Sequence, residues 1–565
     1  MSGDPSAAVL TDVCVVGAGP AGLAFARSCV GMGIEVLVLE SGLDVPDEAA
    51  QSLRSSAVDS PYYTPDALAA GRARQLGGTA TIWSHVTRPD DPERVYARVL
   101  PAEAVDFEHR RWQPTSGWPI GIDDLAPYYD RVARSWVGGP VDNRASTWSR
   151  AGRQPLPLRD GPLTTLVAQY GARDVLTGRY RDEILASRNV SVRLDSTVVE
   201  LESDRSGSVI RRARVQGGDG STYVVEAGVF VMAGGAVENV QTLLHSDATR
   251  PGAAGNRHDN VGRYVADHPE FLLGTIRPAD PDLVNQIGLY DLHYVEDRMV
   301  SGLLTFDQDF KRERHLLNMA AVLLPQPAGF GSPAERAIRS LRPLASGTLP
   351  SQALTHLRSV VTHPGDSVSV LHNQLVKRWA RGGDYKDGYV WHRGGWSRPE
   401  IDRSRLPVLE VHVAAEQSPE RGNRLELTGE RDRLGRRRVR LRLGWSQEDR
   451  DNVLRSAAVF GSEIEGSGLG TFHRWVQYTG ATRPMSYGVH HPMGGTRMHA
   501  DPRLGVVDEN CKVHGVSNLY VAGSSVFTTG LGYANPTLTL LALSVRLADH
   551  VAAQQGRPSP VDAQV

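Results

Sequence analysis

Apolar and polar positions fall into a strand–helix–strand pattern near the start of the chain. Val13 to Val16 is a short run rich in β-branched residues, Leu23 to Gly31 reads as helix, and Glu35 to Leu39 reads as a second strand ending at Glu40. Short apolar runs bounded by turns predict buried parallel strands. Val229 to Met232 repeats the pattern, running into Ala233-Gly234-Gly235 and then a helical stretch. Further strands are predicted in SVRLDSTVVELES (Ser191–Ser203) and GVSNLYVAGSSVF (Gly515–Phe527). The basic stretch RDRLGRRRVRLRLG from Arg431 predicts a hairpin turning at Leu434-Gly435, with solvated charged faces. No run approaches the roughly 18 apolar residues of a membrane span.

Composition narrows the class. A chain of 565 residues is too long for one core, so two or more domains are expected. Lys and Arg number 62 against 64 Asp and Glu, a net charge of -2 that supplies no general field for nucleic acid or anionic membranes. Neither is expected as a partner. Cys14, Cys29 and Cys511 show no paired spacing, which suits a reducing compartment. The opening MSGDPSAAVLTD lacks a charged segment followed by an apolar one, so it does not read as a secretory signal. A cytoplasmic protein is expected.

The first loop carries specific chemistry. Gly17, Gly19 and Gly22 form GxGxxG between the first strand and helix, and Glu40 follows 18 residues after Gly22. Gly17 permits the tight turn, Gly19 admits backbone to a diphosphate, and Gly22 lets helix and sheet approach. The helix N-terminus offers free N–H groups to phosphate. Glu40 is placed to accept hydrogen bonds from an adenosine ribose. Strand, glycines, helix, strand and acid in this order predict a dinucleotide site, for NAD or FAD.

Later segments choose between them by resemblance. The turn at Ala233-Gly234-Gly235 and the late strand ending at Gly523 resemble returns to the dinucleotide domain in FAD enzymes of the glutathione-reductase type. GRARQLGGTATIWSHVTRP (Gly71–Pro89) resembles the flavin-contacting loop of glucose-methanol-choline (GMC) oxidoreductases. GVVDENCKVHGVSNLYVAGSSVFTTGLGYANPTLTLLALSVRLADHV, from Gly505, resembles their C-terminal signature. NVGRYVADHPEF (Asn260–Phe271) and SGWPIGIDDLAPYYDRV (Ser116–Val132) also match, the latter most like sugar-oxidising, pyranose-oxidase-like members. The resemblance runs from about residue 10 to 550 and thins between 280 and 400.

That resemblance implies a site. In HHPMGGTRM (His490–Met498), His491 occupies the position of the family's base near the flavin, and Asn535 in YANPTLT lies 44 residues on. Histidine suits proton transfer near neutral pH. An asparagine amide can hold the substrate oxygen. His490 is expected in the pocket wall, and His85 in a supporting or surface position. Asn535 and Pro536 also fit the N-cap and first position of a helix, whose dipole would face the flavin ring. Gly78 and Thr79 are expected against flavin or diphosphate, Val198 at the adenine, and Ala233, Gly523, Pro536 and Thr537 along the cofactor. Ile82 precedes Trp83 where covalently flavinylated relatives carry histidine, so the FAD is expected to be non-covalent. No metal site is expected.

The expected fold is α/β: a glutathione-reductase-type FAD-binding, Rossmann-like domain plus a substrate domain with an antiparallel sheet flanked by helices. The FAD domain is expected to be discontinuous, at 10–95, 190–275 and 505–555, with a bridging or cap segment at 96–189 and a substrate domain at 276–504 whose lid spans 326–400. The expected activity is FAD-dependent oxidation of a hydroxyl of a sugar, glycoside or aminosugar, with oxygen or another acceptor. A non-sugar alcohol oxidase or dehydrogenase, or a non-catalytic flavoprotein subunit, is the alternative.

Overall fold

The computed structural model describes residues 8–557 except 84, 87–94, 253, 348, 350–351, 380–393, 400 and 476–490. His490 lies outside the described residues, as do the side chain of His85 and part of the expected lid.

Two sheets organise the molecule. In the first, strands run in the order Val190–Arg193, Val36–Leu39, Val9–Val16, Thr222–Met232, Ile210–Gln216 and Thr197–Ser203, and Leu519–Val521 also pairs with Thr222–Met232. The pairings among Val190–Arg193, Val36–Leu39, Val9–Val16, Thr222–Met232 and Leu519–Val521 are parallel. The other two strands form an antiparallel meander on Thr222–Met232. Val13, Cys14, Val15, Val36–Leu39 and Phe230–Met232 are all buried, as a layer covered on both faces requires. The first helix spans Pro20–Ser28, three residues ahead of the predicted start. Pro20 is pre-set for a first helical turn and Gly22 tolerates the packing there.

The second sheet is antiparallel and has nine strands. At its centre lie Glu270–Pro278, Val408–Ala415, Met319–Gln326, Arg298–Phe306 and Leu163–Ala172. The helix Gln447–Gly466 packs near one edge, against Gly470–Arg474. A third, three-stranded sheet contains the basic hairpin, Arg424–Arg431 with Arg437–Arg442, turning at Gly435 with φ +77°.

The chain crosses between sheets more often than the expected boundaries allow. Val95–Val99 and Leu163–Ala172, within or bordering the expected bridge, are strands of the second sheet. The hairpin, expected in the substrate domain, buries Leu425, Val439 and Leu441 in the core of the first sheet. Its alternate residues are apolar, and the helix Ala236–Thr249 covers them. The segment read as a cap, DFEHRRWQPTSGWPI, is instead largely internal: Phe107 and Trp118 are buried and pack on each other. Trp118 Nε1 donates to Thr529 Oγ1 at 3.0 Å, and Arg98 donates to the Tyr533 carbonyl at 3.2 Å. These bonds buttress the loop that leads into the helix Pro536–Gln554.

Candidate active site

A cavity of about 820 Å³ runs between the first two sheets. One end is lined by Gly17, Gly19, Glu40, Gly78, Thr79, Val198 and Ala233, the middle by Gly523, Asn535, Pro536, Thr537 and His491. Gly22 does not line it. A Cβ on Gly22 would fall 2.0 Å from the Gly17 carbonyl oxygen, so this glycine sets how closely the helix meets the loop. A Cβ on Gly19 would meet nothing closer than Gly78 Cα at 3.8 Å, leaving the backbone open to the cavity.

Glu40 is fixed before any ligand arrives. Its carboxylate accepts from the N–H groups of Ala18 at 2.9 Å and Gly42 at 2.8 Å. Burial pushes its pKa up, against those bonds and the charge of Arg74. Arg72 and Arg74, which the sequence reading passed over, line the same end and pair with half-buried Glu238. Arg74 also donates to Ser41 Oγ at 3.0 Å. Open glycine backbone, a helix N-terminus and an anchored carboxylate fit the diphosphate and ribose of FAD.

His491 is positioned through its backbone. Its N–H donates to Asp267 Oδ1 at 2.9 Å, and the same oxygen accepts from His268 N at 2.7 Å. Met493 and Ala266 exchange two backbone hydrogen bonds, and Gly494 N–H donates to the Ser524 carbonyl at 3.1 Å. Gly494 has φ +73°, and a Cβ there would lie 2.1 Å from the Tyr264 carbonyl oxygen. The two glycines after His491-Pro492 therefore let this loop be stitched to two other segments.

His268 stands beside His491, ring centroids 5.1 Å apart at 63°. Its Nε2 bonds the Gly530 carbonyl, which requires Nε2 to carry the proton. Burial, partly offset by that bond, lowers its pKa to about 4. His268 is thus a neutral ring at physiological pH. Asn535 occupies the N-cap position of Pro536–Gln554, but its side chain makes no capping bond. Its half-buried amide is left to the cavity.

The far end is built from the second sheet. Glu270, Leu272, Leu324, Gln326, Glu410 and His412 project into it, beside Phe330 and Trp475, whose rings stack at 6.1 Å. Glu410 accepts from Gln326 Nε2 at 2.7 Å. His412 lies between two carboxylates, 3.6 Å from Glu410 and 4.0 Å from Glu270. Sequence reasoning missed this group. His268 and Glu270 sat in a motif already noticed, but the others are alternate residues on strands whose register only the fold reveals. Arg263, quoted in that motif, is tied to Asp259 away from the cavity. Among the described residues no cluster of His, Cys, Asp and Glu could hold a metal.

Fold and cavity together define a flavin-dependent oxidoreductase. Residues 419–544 match the family model described as GMC oxidoreductase. The chain is 24% identical to 6'''-hydroxyparomomycin C oxidase of Streptomyces lividus, over 96% of this chain and 92% of that protein. It is 22% identical to the fructose dehydrogenase large subunit of Gluconobacter japonicus, over 96% and 97%. An FAD-dependent oxidoreductase from Chaetomium thermophilum shares the fold, with TM-score 0.50 and 14% identity over 97% of this chain and 100% of that one. The chain is an FAD-dependent oxidoreductase acting on CH–OH donors, and residues 419–544 carry its likeness to the GMC oxidoreductases.

Proposed function

We propose that this enzyme oxidises a hydroxyl of a sugar, glycoside or aminosugar, with His491 as the base. The observation that carries the proposal is that His491 and Asn535 line the same cavity as the glycine loop and Glu40. Bound FAD supplies the two-electron acceptor for the hydride leaving the carbinol carbon. His491 takes the hydroxyl proton, and the uncapped amide of Asn535 bonds the oxygen and orients the carbon. The N–H groups at the start of Pro536–Gln554 supply partial positive charge beside the flavin. Gly17, Gly19, Gly78, Thr79 and Ala233 would hold the diphosphate and flavin, Glu40 the ribose, Val198 the adenine, and Gly523, Pro536 and Thr537 the flavin side. Ile82 before Trp83 supports non-covalent attachment.

The far end supports the sugar. Stacked Phe330 and Trp475 offer an apolar face for a sugar ring. Glu270 and Glu410 add acceptors and negative charge, which favour a substrate bearing amino groups. A relative named for an aminoglycoside supports the same choice. The three cysteines are free and buried, which supports a cytoplasmic setting. The test is an anaerobic absorbance scan with neutral sugars, aminosugars and simple alcohols. Bleaching of the visible flavin band by aminosugars is expected, and readmitted air then separates an oxidase from a dehydrogenase. Bleaching by simple alcohols alone overturns the sugar reading; a band that no donor bleaches leaves a flavoprotein without turnover.

A further inference from the structure

The segment 333–379 carries an apolar surface that no other described residue covers. Its helix Ala353–Thr362 has no buried residue at all. Leu354, Leu357 and Val361 recur at the three- and four-residue spacing of one helical face and are 84%, 47% and 76% exposed. The next helix, Pro364–Trp379, repeats the device with Val368 and Leu371, 67% and 47% exposed. A helix this short gains little from propensity alone, so an apolar face that no described residue covers is suited to an external partner.

The charge of the segment indicates which partner. Within 333–379 stand six Arg or Lys residues, Arg336, Arg339, Arg342, Arg358, Lys377 and Arg378, against Glu335 and Asp366. Asp366 is already paired with Arg277 at 3.2 Å. The rest of the chain therefore has 56 basic residues (62 less 6) against 62 acidic ones (64 less 2), the opposite sign. A near-neutral total conceals a local basic field. Arg358 follows Leu354 by four positions, so an exposed cation flanks the apolar stripe and can extend toward headgroups while its stem stays with the leucines. A second copy of the chain would bring like charges together across the contact, which disfavours self-association through this face.

We propose that the helices Ala353–Thr362 and Pro364–Trp379 form an in-plane docking surface for a bilayer rich in anionic lipid. Aliphatic residues enter the headgroup boundary and the flanking cations meet the lipid phosphates. No helix among the described residues is long and apolar enough to cross a membrane, so the contact is peripheral. Phe330 and Arg339, next to these helices, line the catalytic cavity, so its far end lies near the docked surface.

The test is flotation of the FAD-loaded, full-length protein with vesicles of phosphatidylcholine alone or with three parts in ten phosphatidylglycerol. Binding to the phosphatidylglycerol vesicles only, reversed by salt, is expected. The double variant Leu354→Asp with Val361→Asp should weaken it at least tenfold, and Arg358→Glu severalfold, with the flavin spectrum unchanged because these side chains are exposed. Absence of flotation on phosphatidylglycerol at low salt overturns the proposal, and so does undiminished flotation of the double variant. Light-scattering mass measurement adds a third arm: a wild-type dimer that the double variant converts to monomer, without vesicle binding, would make the face a contact between copies.

Discussion

His491 owes its place to main-chain bonds, so its ring can be removed without undoing the loop. The N–H bond to Asp267 and the reciprocal pair between Met493 and Ala266 survive truncation. His491→Ala is therefore expected to keep FAD while anaerobic flavin reduction slows by about 10² to 10⁴; near-native reduction would remove it from the base role. Glu410→Gln keeps the shape and the bond to Gln326 but loses a charge. Its KM should rise about ten- to a hundredfold for aminosugars and little for neutral sugars. His268 gives a pH signature. Its folded pKa of about 4 lies below the ordinary 6.5, so between those values the unfolded chain binds a proton that the folded one does not. Stability then falls as pH drops from 6.5 to 4, by up to about 3 kcal/mol, and this contribution is flat above 6.5. Unfolding of wild type and His268→Asn in excess FAD should show their difference shrinking toward pH 4; parallel pH curves would put His268 in contact with solvent. Gly17, Glu40, His491 and Asn535 could be picked out beforehand because each belongs to a pattern written in consecutive residues. Glu410 and His412 could not, because what joins them to Glu270 and Leu324 is strand register between segments 86 or more residues apart.

At the scale of elements, the glycine loop and its helix act as one part. The Gly22 position offers no room, since a side-chain carbon would overlap the Gly17 carbonyl and press on Ala233. Gly22→Val must push Pro20–Ser28 off the sheet, at a cost of about 1–3 kcal/mol. The expected result is a lowered Tm together with a reduced flavin-to-protein ratio, because the same displacement moves the N–H groups at the helix start. A lowered Tm with full flavin content would separate packing from binding at this loop. Val13–Val16 and Val229–Met232 were readable because they are uniformly apolar and run into glycine turns. The hairpin was also readable, but its allegiance was not. Leu425, Val439 and Leu441 give the alternation of a half-buried ribbon, and no local pattern tells which sheet lies beneath it. The segment around Trp118 was misread for a related reason. Its sequence reads polar, with Arg110, Glu108 and Asp106 close together, yet Arg110 is buried against Glu416 and Asp106.

At the scale of the whole molecule, the cavity is assembled from residues as distant as Val16 and Leu540. Its walls come from the parallel sheet, the antiparallel sheet and the start of the last long helix. A ligand that touches all three stabilises the folded state in proportion to its free concentration over its Kd, by about 2.7 kcal/mol at a hundredfold excess. FAD held against all three would be a structural link as well as an oxidant. This gives the attachment question a thermodynamic answer. If FAD is held only by the cavity, acid precipitation releases all yellow colour into the supernatant. The refolded apoprotein should then have a Tm that climbs steadily with added FAD. Colour retained in the washed pellet would mean a covalent bond, and in that case added FAD would leave the Tm where it was, because the link would already be permanently in place.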